Sequence, residues 1–305
     1  MAAPLKLKLP ATSANLGPGF DALGLAMDFA LHIEARESDA FSIHATGRNV
    51  AQCGDVADSL VIETYKSVLR EQGIDPVALH LDLHNEIPLG MGCGSSAAAL
   101  VAGVALASHF GGLKWSREKM LTEASLLEGH PDNVAACVLG GLTVSSMVTP
   151  ENGPPVIDAL SITPPASWPL LVVMPESSLS TKKARALLPE SYSKTDVIAN
   201  VQAVSLLVAA FAQGRGDLLE RGMRDRMHQP YREPACPLLG HLLPLAGRDG
   251  ILGVALSGAG PSVLLIVSSE NNLVSARTLV TSTLANSGSS AEILNAAISS
   301  CAVIV

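Results

Sequence analysis

The chain has 305 residues, a length that suits two domains of ordinary size better than one. Hydrophobic residues make up 48% of it and charged residues 16%, which is a folded composition and not a disordered one. The net charge of -8 repels a phosphate backbone, and the 3% aromatic content leaves few platforms for stacking bases, so both disfavour a nucleic-acid-binding protein.

The cysteines indicate a reducing compartment. Their number, five, is odd and no two have Cys-x-x-Cys spacing, so we interpret them as free thiols. The first nine residues contain no apolar run of signal-peptide length, and no stretch approaches about 18 uninterrupted apolar residues. The sequence therefore predicts a cytoplasmic protein with no membrane partner.

The first half of the chain mixes strand and helix patterns. Residues 5–9 alternate and predict a strand, and residues 31–45 alternate as an antiparallel strand pair would. Residues 59–72 have apolar side chains at helical spacing and stop before Gly73. The other elements predicted here are a strand at 80–85, helices at 97–109, at 116–128 and from 134, and a strand at 142–148.

The second half begins after a stretch in which prolines concentrate, residues 149–168, the best candidate for a domain junction. We place the boundary so that the domains are residues 1–165 and 166–305. Strands and helices alternate without a regular βαβ period, so the fold class is mixed α+β. The elements predicted beyond the boundary are a strand at 170–174, helices at 196–211 and 217–228, strands at 253–257 and 262–267, a helix near 273–285 and short terminal strands.

The most informative short segment is a glycine-rich loop that leads into an alanine-rich helix. Gly90, Gly92 and Gly94 stand at alternate positions, so backbone N–H groups can approach an anion. The following helix points its positive end at the same place, where Ser95 and Ser96 could cap it or face a metal. The loop is neither a Walker A loop nor a dinucleotide fingerprint. By itself it fits a phosphate cradle or a flexible turn equally well.

Polar side chains elsewhere could complete a nucleotide site, and each has an ordinary structural alternative. Glu128 closes a helix and could give Mg²⁺ a carboxylate beside a loop hydroxyl, or could be a solvated helix end. Asn15 and Asp21 flank a Gly-Pro-Gly segment as turn formers or as a polar floor for a hydroxyl substrate. Arg185 and Arg232 could hold a carboxylate bidentately or be surface charge.

In their order along the chain, these segments resemble the GHMP kinases. Residues 11–24 (ATSANLGPGFDALG) resemble the first motif of the homoserine kinase branch, and residues 88–98 resemble the phosphate loop of the whole superfamily. Residues 128–135 (EGHPDNVA) resemble the segment that follows in that branch. The further matches, to two substrate-side segments and to the third superfamily motif, lie at residues 179–185, 228–232 and 256–262.

The resemblance implies a two-domain GHMP kinase fold: an N-terminal nucleotide-binding domain with a left-handed β-α-β unit, and a ferredoxin-like C-terminal domain. It implies transfer of the ATP γ-phosphate to the side-chain hydroxyl of L-homoserine in threonine biosynthesis, with Mg²⁺. The residues implied for Mg²⁺ are Ser96 and Glu128. Those implied for ATP are Pro88, Leu89, Gly90, Met91, Gly92, Cys93, Gly94, Ser95, Ser96, Ala97 and Ala98. Those implied for the substrate are Asn15, Asp21, His130, Asn133, Thr181, Arg185 and Arg232.

Two positions depart from the family pattern. Cys93 stands where the family usually has Leu, and because the loop acts through its backbone we expect little loss. Asn133 falls where sibling kinases such as mevalonate kinase place a catalytic aspartate, and an amide cannot accept a proton. Catalysis is therefore expected to involve Asp21, Asn133 and Glu128 chiefly through positioning and charge stabilisation, with Asp21 the remaining candidate for a proton acceptor.

Two alternatives remain open within this fold. One is another GHMP small-molecule kinase, for example of the mevalonate type, although its substrate needs contacts other than the Arg185 and Arg232 pair. The other is a catalytically inactive nucleotide-binding sensor, which the presence of Ser96, Glu128 and Asp21 disfavours. The sequence does not decide the oligomeric state, and a homodimer rests on family analogy alone.

Overall fold

The computed structural model describes residues 2–164, 166–299 and 302–304. Its strands are β1 (Leu5–Asn15), β2 (Gly19–Glu37), β3 (Ser42–Gly47), β4 (Leu79–Asn85), β5 (Leu142–Val148), β6 (Val156–Ile162), β7 (Leu170–Pro175), β8 (Ile251–Leu256), β9 (Val263–Val267), β10 (Ala291–Ala296) and β11 (Val303–Ile304). Its helices are α1 (Val50–Cys53), α2 (Leu60–Glu71), α3 (Ser95–Phe110), α4 (Arg117–Glu128), α5 (Asp132–Leu139), α6 (Thr181–Arg185), α7 (Lys194–Gln213), α8 (Leu219–Gly222), α9 (Gln229–Arg232), α10 (Pro237–Leu242) and α11 (Glu270–Asn286). Single 3₁₀ turns lie at Gly216–Leu218, Glu233–Ala235 and Leu243–Leu245.

The first sheet has the strand order β11-β1-β2-β4-β3, and β5 pairs with β2 and carries β6 at its other edge. Strand alternation sends Leu5, Leu7 and Leu9 into the core, while Lys6 and Lys8 face outward. The described pairs are antiparallel except β3 with β4, which run parallel and are joined through α1 and α2. This crossover is a parallel β-α-β unit, and the left-handed sense that the resemblance implies for such a unit stays a prediction.

The prediction of an antiparallel pair within residues 31–45 was wrong. The strands β2 and β3 do not pair with each other, because β4 lies between them, antiparallel to β2 and parallel to β3. The chain leaves β3 through α1 and α2 and returns as β4. An alternating pattern reports which face of a strand is buried, and it carries no information about the neighbouring strand.

The second sheet is antiparallel, with the order β10-β7-β9-β8. Its elements follow the chain order β7-α7-β8-β9-α11-β10, with the shorter helices inserted, which is a ferredoxin-like arrangement. The predicted mixed α+β fold and the ferredoxin-like C-terminal half are thus confirmed.

The helix predicted at 217–228 was wrong over most of its length. Only α8 and the 3₁₀ turn before it are helical, and the chain runs irregularly from Met223 to His228. The carboxylate of Asp225 accepts the backbone N–H groups of Met227, His228 and Gln229, at 2.9, 2.9 and 2.6 Å. A side chain that bonds its own backbone in this way competes with the helix.

The proline-rich stretch holds a strand that the sequence did not predict. The edge strand β6 pairs with β5 along its whole length, from Val156 opposite Val148 to Ile162 opposite Leu142. Sheet membership therefore changes between Ile162 and Leu170. The boundary between residues 165 and 166 stays a prediction, since Pro165 lies outside the described residues.

The helix α7 is long and apolar enough to cross a membrane by length and composition, with a mean hydropathy of 1.6 over an 18-residue window of which 28% is buried. The sequence argument missed it because it counted uninterrupted apolar residues. Polar contacts fix α7 in the fold: Asn200 donates to the Pro18 carbonyl at 2.8 Å and accepts the Arg226 N–H at 3.1 Å. Leu207 and Phe211 of the same helix are buried in the core.

Candidate active site

A cavity of ≈ 290 Å³ opens between the two halves of the chain. From the N-terminal half it is lined by the turn between β1 and β2, by the loop before α3 and by the junction of α4 and α5. From the C-terminal half it is lined by α6, by α9 and by the turn between β8 and β9. All seven residues implied for the substrate line this one cavity: Asn15, Asp21, His130, Asn133, Thr181, Arg185 and Arg232.

The phosphate loop, residues 88–98, joins β4 to α3, and its three glycines have left-handed φ angles of 71°, 73° and 72°. A Cβ on Gly92 would lie 2.2 Å from the Ser257 carbonyl oxygen, and one on Gly94 would lie 1.9 Å from Thr12 Oγ1. Both conformation and space therefore require glycine. No side chain caps α3, which begins at Ser95, so its first N–H groups remain available to an anion.

The other predicted loop residues are divided between the two sides of the loop. Gly90, Ser95 and Ser96 line the cavity with Gly92 and Gly94, whereas Ala97 and Ala98 face the core. Burial raises the pKa of the Cys93 thiol to about 12, so this side chain is a neutral, apolar filler where the family usually has Leu. The described free cysteines are Cys53, Cys93, Cys137 and Cys236, and Cys301 lies outside the described residues.

A hydroxyl and a carboxylate meet at the start of α3. Ser96 Oγ donates to Glu128 Oε2 at 2.8 Å, which joins the first turn of α3 to the last residue of α4. Burial raises the pKa of Glu128, and the hydrogen bond from Ser96 opposes that rise. Hard oxygen atoms beside the phosphate loop are the donor set that Mg²⁺ prefers, so these two residues fit that ion.

The turn between β1 and β2 is held in a strained conformation. Asn15 and Asp21 both have left-handed φ angles, of 70° and 56°. The Asn15 side chain accepts the Asp21 N–H at 3.1 Å and donates to the Gly258 carbonyl at 2.8 Å. Asn15 is thereby tied to the turn between β8 and β9, while the Asp21 carboxylate faces the cavity.

Arg185 forms a two-pronged ion pair with that carboxylate. Its Nη1 and Nη2 donate to the two oxygens of Asp21 at 3.0 and 2.6 Å. The pair is about one-third exposed and spans the two halves of the chain. The ring of Phe20 lies 5.4 Å from the Arg185 guanidinium carbon. Arg185 is therefore a cavity residue with a defined geometry, and the surface-charge alternative does not hold for it.

Arg232 is a buried cation with only neutral hydrogen-bond partners. Its side chain is at the wall of the cavity, and the residue is 1% exposed. It donates to the carbonyls of Ala184 at 3.3 Å and Gly258 at 3.4 Å, and to His228 Nδ1 at 3.2 Å. His228 Nε2 donates to the Gly17 carbonyl at 2.7 Å, which leaves Nδ1 as the acceptor. Within residues 2–164, 166–299 and 302–304, Arg232 makes no ion pair.

Burial and the nearby positive charge of Arg185 lower the pKa of Arg232. An arginine stays charged in proteins, so the cost of this burial is relieved when an anion enters the cavity. The charge of Arg232 therefore favours an anionic group at this wall of the cavity.

Asp132 is a site residue that sequence reasoning missed. Its Oδ1 accepts from His130 Nδ1 at 2.7 Å and from the Asn133 backbone N–H at 2.7 Å. Asn133 Oδ1 also accepts from Thr12 Oγ1 at 2.7 Å. Burial alone would lower the pKa of His130, but the hydrogen bond and charge of Asp132 raise it overall. The one signal in the sequence was its place between His130 and Asn133.

We expect Asp132→Asn to release both neighbours from their present orientation. The pKa of His130 should fall because its anionic partner is lost, and kcat should drop by about 10-fold or more through misplacement. An NMR titration of His130 together with steady-state kinetics measures both effects. An unchanged His130 pKa with wild-type kcat would show that Asp132 does not position these side chains.

A second cavity, of ≈ 570 Å³, lies on the other side of the start of α3 and shares Ser95 and Ser96 with the first. Its remaining lining comes from β2, β4, the α1–α2 region and the loop before α3, and much of it is apolar. The two cavities thus meet at the phosphate loop. Nothing in the sequence pointed to the second cavity, because its lining residues are spread from Leu31 to Ala99.

Two family models match the chain: "GHMP kinases N terminal domain" over residues 59–141 and "GHMP kinases C terminal" over residues 207–285. The chain belongs to the GHMP kinase family. It is therefore a phosphotransferase that uses ATP, as the phosphate loop and the paired cavities suggest.

Several relatives that match over most of the chain are homoserine kinases. The homoserine kinase of Solibacter usitatus is 47% identical over 85% of this chain and 84% of its own length, and that of Desulfitobacterium hafniense is 38% identical over 87% and 88%. The crystal structure of homoserine kinase from Cytophaga hutchinsonii matches with a TM-score of 0.82 at 26% identity, over 100% of this chain and 98% of that one. The L. major mevalonate kinase structure, at 18% identity over 98% and 99% of the two chains, has a TM-score of 0.71 and shares the fold.

Proposed function

We propose that this chain is an ATP:L-homoserine O-phosphotransferase, which makes O-phospho-L-homoserine in threonine biosynthesis. The observation that carries the proposal is Arg232, a buried cation with no acidic partner among the described residues, in the same cavity as the phosphate loop. The names of the relatives point to the same substrate. A free amino acid with a side-chain hydroxyl offers the anion, the cation and the nucleophile that such a cavity can use.

For the nucleotide, the phosphates belong on the N–H groups of the glycine loop and of the first turn of α3. The adjoining ≈ 570 Å³ cavity suits the adenosine, since it is largely apolar and opens at Ser95 and Ser96. Ser96 and Glu128 are the residues that would hold Mg²⁺. When bound, the ion offsets negative charge on the transferred phosphoryl group.

For the acceptor, the substrate carboxylate belongs at Arg232 and the adjacent Arg185, and its ammonium at Asp21. Arg185 and Asp21, which pair with each other in the structure, then also pair with the substrate carboxylate and ammonium respectively. Arg232 gains the anionic partner that it lacks. Thr181, at the exposed start of α6, lies on the rim of this pocket. Asn15 supports it by fixing the turn that presents Asp21.

The reaction on this scaffold depends on placement. His130 and Asn133, both oriented by Asp132, line the same cavity as the glycine loop and Asp21, and we place the acceptor hydroxyl beside them. Asn133 cannot take a proton, and both oxygens of Asp21 already accept from Arg185, which favours an ammonium-binding role over that of a base. Orientation of the hydroxyl and stabilisation of phosphoryl charge then supply most of the catalysis.

ADP release in the presence of ATP and Mg²⁺ tests the proposal, with L-homoserine, mevalonate or no acceptor offered. We expect release to depend on homoserine, because only that acceptor has both a carboxylate and an ammonium for this cavity. Faster release with mevalonate would assign the chain to another small-molecule kinase of the family. ATP binding without acceptor-dependent turnover would identify a nucleotide-binding sensor instead.

We further propose that the enzyme works in the cytoplasm. Free thiols at Cys53, Cys93, Cys137 and Cys236 suit the reducing cytoplasm, where amino acids and ATP are both available. A homodimer remains an expectation from the family.

A further inference from the structure

Thr12 is a polar side chain inside the first domain that the reaction proposed above does not use. It lies on β1, is fully buried and is not among the residues that line either cavity. It belongs to residues 11–24, the first segment that resembles the GHMP kinases, of which the proposed function uses only Asn15 and Asp21. Because a buried hydroxyl needs a hydrogen-bond partner, the partner of Thr12 indicates which part of the site it serves.

Thr12 contacts two parts of the active site at once. Its backbone N–H donates to the Cys93 carbonyl, in the phosphate loop, at 3.0 Å. Its Oγ1 packs so closely against the next loop residue that a Cβ on Gly94 would lie 1.9 Å from it. The same Oγ1 donates to Asn133 Oδ1, on α5, at 2.7 Å. Thr12 therefore joins the loop that is proposed to hold the phosphates to a residue that is proposed to face the acceptor.

The neighbours of Asn133 decide which way its side-chain amide points. Asn133 Nδ2 lies 3.4 Å from Asp132 Oδ1, a carboxylate oxygen that accepts hydrogen bonds, so the reverse orientation would put two oxygens against each other. With Nδ2 on that side, Oδ1 is the atom that faces Thr12, and it accepts the single hydroxyl proton of Thr12. The contact with Asp132 is long, so the 2.7 Å bond from Thr12 is the one that holds the amide in place.

This orientation decides what Asn133 offers to a ligand. Its Oδ1 already accepts from Thr12, whereas Nδ2 has a second hydrogen with no partner among the described residues. Asn133 lines the ≈ 290 Å³ cavity together with the glycine loop. It therefore presents an N–H donor to that cavity, and such a donor suits an oxygen that gains negative charge, as the oxygens of a transferred phosphoryl group do.

We propose that Thr12 is a positioning residue of the phosphoryl transfer, which acts through Asn133 and touches neither substrate. Its hydroxyl keeps Nδ2 of the Asn133 amide available to the cavity, and its backbone fixes that amide relative to the phosphate loop. This role rests on the function proposed above. Because Thr12 lines neither cavity, loss of its hydroxyl should impair the chemical step more than the binding of either substrate.

The test compares variants of Thr12 with the wild type in steady-state ADP release, with ATP and homoserine varied in turn. Thr12→Val keeps the shape of the side chain without its hydroxyl, so we expect kcat to fall by about 10-fold while both KM values change by less than about 3-fold. Thr12→Ala removes the same hydroxyl without placing a methyl group against Gly94, and should show the same fall in kcat. Thr12→Ser keeps the hydroxyl and should recover most of the lost kcat.

Thr143→Val is the matched control. Thr143 is also a buried threonine of the first sheet, its hydroxyl donates to the Gly24 carbonyl at 3.2 Å, and it lines neither cavity. This variant should lose stability, as Thr12→Val does, but should keep the wild-type kcat. A second comparison uses Asn133→Ala as the background: there Thr12→Val should cause no further loss of kcat, because the amide that Thr12 holds is already gone.

A second readout does not depend on turnover. The side-chain N–H₂ signals of Asn133 in a ¹⁵N–¹H NMR spectrum should shift in Thr12→Val and stay in place in Thr143→Val. A wild-type protein without homoserine-dependent ADP release would contradict the proposed function, and the NMR comparison would still decide whether Thr12 orients the amide. Unshifted Asn133 signals or wild-type kcat in Thr12→Val would overturn the inference, as would an equal loss of kcat in the Asn133→Ala background.

Discussion

Glu128→Gln is expected to lower the Mg²⁺-dependent kcat by at least about 100-fold. The change keeps the size of the side chain and its hydrogen bond with Ser96, but it removes the charge that an ion beside the phosphate loop needs. Higher Mg²⁺ should recover part of the activity if weak ion binding is the cause. Steady-state ADP release at several Mg²⁺ concentrations measures both effects.

The matched control for Glu128 is Glu123→Gln on the same helix. Glu123 pairs with Lys119 and does not line the cavity, so its loss should leave kcat near the wild-type value. Wild-type activity and Mg²⁺ dependence in Glu128→Gln would remove Glu128 from the ion site.

The acid limb of the pH profile should also depend on Glu128. Burial raises the pKa of this carboxyl, so activity should be lost as pH falls through that raised value, because the protonated form cannot hold the ion. In the ion-free protein, the raised pKa of Glu128 makes the free energy of unfolding fall as pH rises, whereas activity rises with pH. A raised folded-state pKa contributes stability at low pH, and that contribution disappears as pH rises through it.

Arg232→Met is expected to raise the KM for the amino-acid substrate by roughly 10- to 150-fold, the cost of a lost hydrogen bond between charged groups. The KM for ATP should change little, since Arg232 approaches the cavity from α9 and not from the phosphate loop. Arg232→Lys keeps the charge without the two-pronged geometry, so its substrate KM should fall between those of the wild type and Arg232→Met. A raised KM in the lysine variant would also show that the effect of Arg232→Met does not come from misfolding.

Two further variants serve as comparisons for Arg232→Met. Arg224→Met removes an exposed arginine that pairs with Glu220, and it should leave both KM values unchanged. Arg185→Ala should raise the substrate KM less than Arg232→Met does, because Arg185 already shares its charge with Asp21. An unchanged substrate KM in Arg232→Met and Arg232→Lys would contradict carboxylate binding by this side chain.

The phosphate loop was predictable from the sequence because its chemistry is local. Alternate glycines before an alanine-rich helix describe a backbone conformation, and the left-handed angles at Gly90, Gly92 and Gly94 are that conformation. The pairing of Ser96 with Glu128 stayed one of two alternatives until the family resemblance was added, since 32 residues separate them.

Features that depend on distant parts of the chain could not be predicted from the sequence. Arg232 was indistinguishable from a surface arginine, because its burial depends on the turn between β8 and β9 and on α6. The placement of β4 between β2 and β3 is a property of the crossover and not of any strand. Asp132 was overlooked for a different reason: it sits inside a matched motif whose neighbours took the functional roles.

Several hydrogen bonds bind the glycine-rich segments of the two halves to each other. Asn15 bonds the Gly258 carbonyl, the Gly258 N–H bonds the Ala14 carbonyl, and Ser257 Oγ donates to the Gly92 carbonyl at 2.7 Å. The floor of the nucleotide cradle is thus built partly from the C-terminal half. A substitution that shifts this seam should therefore alter acceptor binding and nucleotide binding together.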